Sequence, residues 1–128
     1  EDSTARRVGD AVRTHSFSRG EKPSSLLGEA LQDADRLEAL GVIGVFRTIS
    51  TGSRMGAEYF HASDPWAEDR ALDDRRYSID HFFTKLFGLA ATMRTEAGRH
   101  EAARRAEVMR ELLEELSTEL GVPLPTLR

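Results

Sequence analysis

Apolar residues recur at helical spacing in four separate parts of the chain, and no part shows the strict alternation of a strand. The first helix is predicted over about residues 4–15. The second is predicted to start at a cap on Ser24 or Ser25 and to continue to about Ser50. From Leu37 onward this second segment is apolar on nearly every side, which is typical of a helix buried in a core.

Two further helices are predicted in the second half of the chain. Ser78 is positioned to cap a helix whose apolar residues recur at i, i+3, i+4 and i+7. The last helix is predicted from about Thr95 to Gly121, because glycine is a common helix terminus. Residues 51–76 show no sustained period and exceed the usual connection length, so a functional or flexible loop is expected there. The predicted fold class is all-α, with residues 1–128 forming a single helical domain.

The composition is that of an ordinary soluble globular domain, with 128 residues, 39% of them hydrophobic and 31% charged. A net charge of −4 gives no basic field, so nucleic-acid binding through phosphate contacts is not expected. The absence of cysteine excludes a disulfide framework, a thiolate zinc site and a cysteine nucleophile. No apolar run approaches the roughly 18 residues of a membrane span, and no signal peptide opens the chain. A cytoplasmic protein without a membrane partner is therefore predicted.

Two aspartates, Asp33 and Asp35, lie in the second helix just before the sequence turns apolar. Leu31 and Ala39 flank Asp35 at one-turn spacing, and similarly apolar residues surround Asp33, so both acids are expected to border apolar surface. A buried carboxylate is costly unless an arginine, a set of backbone donors or a metal ion pairs with it. Spacing alone favours a structural ion pair to Arg36, Arg47 or another arginine, and it does not distinguish between the two acids.

Several blocks of the sequence resemble, in their order, the C-terminal part of bacterial HD-domain phosphohydrolases. The blocks are "HSFS", "LQDADRLEALGVIGVFRT" and "YSIDHFFTKLFGLAATMRTEAGRHEAARRAEVMRELLEEL", and "DADRLEALG" is the most specific of them. The resemblance spans about residues 10–118 and is strongest to the branch that hydrolyses nucleotides and related pyrophosphates. It implies an HD-domain-like helical bundle and metal-dependent hydrolysis of a phosphoester or phosphoanhydride. The implied partner is a small phosphorylated substrate, with a nucleotide expected, and a homodimer is left open.

The resemblance also implies roles for residues around the second helix. Asp35 matches a late aspartate that holds a divalent metal ion, with Mn, Mg, Zn, Fe and Ni all compatible, and it is expected to be a catalytic metal ligand. Asp33 is expected to orient the site beside the substrate, and Arg36 to contact a phosphate. His15 in "RTHSFS" is expected to donate to a phosphate or to carry a proton, although position alone is equally typical of a helix-terminal histidine.

Ser78, His81 and Lys85 fall on one stripe of the third helix at i, i+3 and i+7, with Tyr77 beside it. Spacing alone is typical of a solvated face. The resemblance makes "YSIDHFFTKL" a recurrent block of the family, which implies that His81, Lys85 and Tyr77 bind the substrate phosphates. Trp66 in the irregular segment is expected to be a packing residue rather than the anchor of a lid.

The chain departs from the family pattern upstream of Asp35, because no adjacent His-Asp pair precedes it. The family holds its metal with a His, a His-Asp pair and the late Asp, and one carboxylate cannot hold a catalytic ion. The helices that bring those ligands are expected to precede the point where this chain starts. Two other interpretations stay open. One is an HD-fold di-iron oxygenase that uses His15, and the other is a metal-free helical binding module in which Asp33 and Asp35 pair with Arg13 or Arg47.

Overall fold

Five α-helices and one π-helical segment form the part of the chain that the computed structural model describes, which is residues 2–14, 22–23 and 25–126. The helices are α1 (Asp2–Thr14), α2 (Leu26–Leu37), α3 (Gly41–Arg54), the π-helical segment (Phe82–Leu86), α4 (Phe87–Ala90) and α5 (Glu96–Leu120). These residues form no strand, and their single bridge joins Glu58 to Tyr77. The predicted all-α fold is confirmed. Within the same residues, no helix combines the length and apolar character that crossing a membrane requires.

The predicted long second helix is in fact two helices, α2 and α3, separated by a turn over residues 38–40. Gly41 opens α3 with a φ of 70°, a left-handed backbone conformation that glycine adopts without steric cost. Arg105 Nη1 of α5 donates to the Leu37 carbonyl at 2.6 Å and thereby satisfies one of the exposed carbonyls at the end of α2. The prediction of a continuous helix is wrong. The apolar residues keep a helical spacing on both sides of the turn, so their pattern did not reveal the break.

α3 buries one side only, so the prediction that it is buried all round is also wrong. Gly44 and Gly52 are buried, whereas Val42, Ile43 and Phe46 are 53%, 55% and 68% exposed. A Cβ on Gly52 would collide with Ser78 Oγ, because the segment before the π-helical turn crosses α3 at this point. Gly52 therefore marks the place on α3 where the segment that carries Ser78 approaches the helix closely.

The core lies where α5 packs against the π-helical segment and the start of α3. Its fully buried large side chains include Leu40, Phe82, Leu86, Met109 and Leu113, each 0–1% exposed. Burying a side chain of this size stabilises the folded chain by roughly 1.5–3 kcal/mol. The apolar face predicted for the third helix is thus confirmed as core.

Two predictions about the segment before α4 have different outcomes. The helical backbone begins near Asp80, and Ser78 Oγ makes no hydrogen bond to any described residue, so Ser78 is not the predicted side-chain cap. Trp66 is 6% exposed, and its Nε1 donates to the Val122 carbonyl at 3.0 Å. It is a packing residue, as expected.

The start of α5 is capped twice, once from its own residue and once from α2. Thr95 Oγ1 accepts from the Gly98 amide at 2.9 Å. The Asp33 carboxylate accepts from the Arg94 amide, the Thr95 amide and the Thr95 hydroxyl at 2.8, 2.8 and 2.6 Å. Asp33 is only 2% exposed, and a Cβ on Gly98 would collide with its carboxylate. A buried negative charge here is stabilised by the amide donors and by the positive end of the helix dipole.

Replacement of Asp33 by asparagine should lower the free energy of unfolding by roughly 3 kcal/mol, because an amide NH₂ would then face backbone donors in a buried place. Denaturation by urea measures this change. Asp35→Asn is the matched control: it alters an exposed acid two residues away and should change stability by less than about 0.5 kcal/mol. Equal, small effects of the two substitutions would contradict the role of Asp33.

Replacement of Gly52 by alanine should destabilise the protein by about 1–3 kcal/mol through the collision with Ser78 Oγ, even though alanine is intrinsically the better helix former. Thermal denaturation measures the change, and adding Ser78→Ala should restore part of the loss. Gly88→Ala is the control, since Gly88 is helical and a Cβ there meets nothing within 4 Å. A neutral Gly52→Ala would show that the two segments are not in close contact.

Candidate anion-binding site

A cleft of about 430 Å³ opens between α3, the π-helical segment and the irregular segment (residues 55–79) that connects them. Four of its lining side chains carry or can take up positive charge, and one is acidic. The basic ones are Arg47, Arg75, His81 and Lys85, and Asp74 is the only acid among the described lining residues. This charge pattern suits an anion with several negative oxygens.

The floor of the cleft combines a glycine face with a buried hydroxyl. Gly44 and Gly52 of α3 line it together with Ser78. Ser78 is 2% exposed, and its Oγ has no hydrogen-bond partner among the described residues. Leaving such an atom unpaired costs on the order of 1–3 kcal/mol. The hydroxyl is therefore an unpaired polar atom packed beneath the cleft against Gly52.

The irregular segment that carries part of the cleft is held by one buried ion pair. Asp80 is fully buried and accepts from Arg70 Nη1 and Nη2 at 2.7 and 3.0 Å, and from the Asp73 amide at 2.7 Å. The hydrogen bond to Asp80 raises the pKa of Arg70. Arg70 also lies over the Tyr77 ring, 4.6 Å from its centroid. These contacts fix the backbone from which Asp74 reaches the cleft.

His81 is paired with Asp74 at the edge of the cleft. His81 Nδ1 lies 2.8 Å from Asp74 Oδ2, and Thr84 Oγ1 donates to the same oxygen at 2.8 Å. The hydrogen bond from His81, followed by that from Thr84, lowers the pKa of Asp74. The side chains of His81 and Asp74 are 29% and 35% exposed, so both remain accessible from the cleft.

Of the residues predicted to bind phosphate on the third helix, two line the cleft and one does not. His81 and Lys85 line it. Tyr77 is 8% exposed and makes an edge-to-face contact with His61 at a centroid distance of 5.1 Å. The structure therefore places Tyr77 in the packing beside the cleft, while its predicted contact with substrate stays a prediction.

The residues predicted around α2 occupy different surroundings. Asp35 is exposed, so the expectation that it borders dry, apolar surface is wrong, and Asp33 is the buried acid of the two. The Asp33 carboxylate bonds to α5, which is a contact to a set of backbone donors rather than to an arginine. Arg36 is buried and donates to Thr92 O at 2.8 Å and to Thr92 Oγ1 at 3.2 Å. Burial, followed by the nearby Arg94, lowers the pKa of Arg36. His15 lies outside the described residues.

Two residues of this site were missed by the sequence analysis. Asp74 and Arg75 lie in the irregular segment, where no hydrophobic period fixes the direction of a side chain. Arg47 was expected only as a partner for the aspartates of α2; it lines the cleft, and its Nη1 lies 3.5 Å from Glu38 Oε2. The available signal for Asp74 was its place in "DDRRYSIDH", seven residues before His81. That spacing does not predict a contact in a segment with no regular secondary structure.

The described residues do not by themselves form a metal site. Within residues 2–14, 22–23 and 25–126, no group of three His, Asp or Glu side chains is arranged to hold an ion. Catalytic divalent ions need about three protein ligands, and Asp35 would supply only one. Metal binding by Asp35 therefore stays a prediction, and what the described residues form is a cleft lined by several basic side chains.

A second cavity, of about 790 Å³, has a different character. Trp66, Phe83 and Phe87 form much of its wall, and the Arg110 guanidinium lies 5.3 Å from the Phe87 centroid. Among the described residues that line it, Arg110 is the one basic side chain, in contrast to the basic cluster of the cleft beside His81.

The sequence and fold of the chain are similar to those of known proteins. No family model matches the chain. The uncharacterized protein YpgQ of Bacillus subtilis is 29% identical over 99 residues, which are 77% of this chain and 42% of YpgQ. The crystal structure of YpgQ matches with a TM-score of 0.72 at 27% identity and covers 100% of this chain and 59% of YpgQ. Its complex with ADP matches with a TM-score of 0.71 at 27% identity, covering 99% and 56%.

A second solved relative is described as an HD-superfamily hydrolase. This protein, from Bacillus thuringiensis, matches with a TM-score of 0.65 at 34% identity over 77% of this chain and 48% of its own length. The chain thus spans about half the length of these relatives. The chain therefore has the HD-domain-like all-α fold that the resemblance predicted, matched over part of the length of these relatives.

Proposed function

We propose that the protein is a metal-dependent phosphohydrolase that acts on a phosphoester or phosphoanhydride, with a nucleotide as its substrate. The observation that carries the proposal is the basic cleft, in which Arg47, Arg75, His81 and Lys85 surround a space of about 430 Å³. The complex of YpgQ with ADP supports a nucleotide as the ligand, and the relative described as an HD-superfamily hydrolase supports hydrolysis.

The cleft suits phosphate because its donors differ in geometry. The two arginines offer planar forks that match pairs of phosphate oxygens, whereas Lys85 is a compact charge on a flexible stem. Positive groups that are already in place stabilise the negative charge that develops on phosphoryl oxygens during transfer. The cleft would therefore bind the phosphate groups and stabilise them in the transition state.

The metal dependence in this proposal rests on the family resemblance and on Asp35. Asp35 is exposed on α2 and is not used in packing, so it is available as one ligand of a divalent ion. The other ligands would come from outside the described residues, since no three His, Asp or Glu side chains among these residues are grouped so that they could hold an ion. In a loaded enzyme such an ion would lower the pKa of a bound water and polarise the phosphoryl group.

The metal part of the proposal predicts a specific effect of Asp35→Asn. The purified protein should hydrolyse at least one nucleotide in a screen with Mg²⁺, Mn²⁺, Zn²⁺, Fe²⁺ and Ni²⁺, and chelation by EDTA should abolish the activity. Asp35→Asn should lower kcat/KM on the order of 10²-fold with little change in stability, because a ligand is lost from an exposed position. Phosphate release measures the rate.

Glu107→Gln, on the exposed side of α5, is the control for that substitution and should keep full activity. Activity that survives EDTA, or that survives Asp35→Asn, would contradict a metal held by Asp35. A protein that hydrolyses no phosphoester or phosphoanhydride under any of these conditions would contradict the proposed function itself.

The anion-binding part predicts that Lys85→Gln and Arg75→Gln each weaken ADP binding about tenfold or more, because each removes a charge-assisted contact to phosphate. Isothermal titration calorimetry measures the affinity, and rising salt should weaken binding by the wild type more than by the variants. Arg104→Gln is the control, since Arg104 pairs with Glu101 on α5 and does not line the cleft. Unchanged affinity in both cleft variants would contradict phosphate binding at this site.

A further inference from the structure

The pair formed by His81 and Asp74 gives the cleft a ring nitrogen of defined protonation. An ionised carboxylate is an acceptor only, so Asp74 Oδ2, 2.8 Å away, requires the proton to be on His81 Nδ1. Thr84 donates to the same Asp74 oxygen and holds the carboxylate in place. Nε2 is consequently the ring nitrogen left for a ligand, and His81 lines the cleft. Asp74 thus orients the His81 ring before any ligand binds.

We propose that His81 is the proton donor to the leaving group in the hydrolysis proposed above, and that Asp74 is the residue that positions it. The inference rests on the proposed function. It goes beyond a phosphate contact, because it assigns to one atom, His81 Nε2, a specific step of the reaction. Asp74 touches the ring rather than the substrate and acts only through it.

The pairing of the ring favours a donor over a base. With Asp74 accepting at Nδ1, the His81 ring would lie between that carboxylate and a phosphate bound in the cleft, so negative groups would flank it on both sides. Lys85, Arg75 and Arg47 also line the cleft and are the other positive groups that a bound phosphate would meet. A ring held in this way can donate from Nε2 to the leaving oxygen of the bound ester.

The step balances as follows. The bond between phosphorus and the leaving oxygen breaks, its electron pair stays on that oxygen, and the oxygen takes the proton from His81 Nε2. A water oxygen forms the new bond to phosphorus, and the attacking water releases one proton to solvent. The ring then regains a proton from solvent. The products are the protonated leaving group and a phosphate, with water as the only reactant consumed.

The kinetic test compares two substrates that differ only in their need for a proton: phenyl phosphate and 4-nitrophenyl phosphate. With the metal that gives activity, His81→Gln should lower kcat on phenyl phosphate on the order of 10²-fold or more. The loss on 4-nitrophenyl phosphate should be much smaller, because 4-nitrophenolate leaves without protonation. Equal losses on the two esters would overturn the inference while the proposed function stands, since a base or a simple phosphate contact affects both alike.

Asp74 is tested by a pH profile. A carboxylate beside an imidazole favours the charged form of the ring, so a ring that loses this partner gives up its proton at lower pH. Asp74→Asn should therefore move the high-pH limb of kcat to lower pH, and Asp74→Glu should restore it. Asp69→Asn, an exposed acid of the same segment that does not line the cleft, should leave the profile unchanged. An unmoved limb in Asp74→Asn would contradict the positioning role.

A measurement that needs no activity tests the same geometry. Long-range ¹⁵N NMR of the histidine rings should show the neutral His81 ring protonated on Nδ1 in the wild type, with that preference lost in Asp74→Asn. A ring protonated on Nε2 in the wild type would overturn the inference even if the protein hydrolyses neither ester. If the protein hydrolyses no substrate, the proposed function fails, and the NMR result still decides whether Asp74 directs the ring.

Discussion

The structure depends on the buried carboxylate of Asp33, which accepts from the amides of Arg94 and Thr95 immediately before α5. This contact joins two helices that are about 60 residues apart in sequence, as its hydrogen-bond partners Arg94 and Thr95 show. It fixes the N-terminal end of α5 against α2. The π-helical segment then packs against α5 in the core. Lys85 of that segment and His81 just before it are the basic residues there that line the cleft. One anion with three donors thus supports, through packing, the position of the basic site.

The buried acids of the molecule hold its structure, whereas most of the charged side chains that line the cleft are basic. Asp33 and Asp80 are buried and satisfied by backbone or guanidinium donors, which makes their burial tolerable. Asp74 is the exception, because it lines the cleft and holds the ring of His81. Among the basic groups that line the cleft, His81 thus has its ring held by a carboxylate. Such preorganisation reduces the reorganisation that binding and catalysis would otherwise require.

Helices and their buried faces could be predicted from the sequence, because they depend on the period of the apolar residues. Turns and contacts between distant residues could not, because they depend on the path of the chain. The apolar stripe through Phe82 and Leu86 was sufficient to predict their helix and its buried face. The break at Gly41 was missed because apolar spacing continues across a turn that needs a positive φ. Periodicity could not decide which aspartate is buried, since that depends on where α5 begins. His81 and Lys85 were found through family resemblance, whereas the role of Asp74 required the irregular segment that Asp80 and Arg70 hold in place.

The central claim is that phosphate groups bind in the basic cleft beside His81, and a crystal structure of the protein with ADP tests it most directly. The account predicts phosphate oxygens within about 3 Å of His81 Nε2 and Lys85 Nζ, with His81 Nδ1 still bonded to Asp74. Nucleotide bound instead in the aromatic cavity between Trp66 and Phe87, with the basic cleft holding only water, would contradict it.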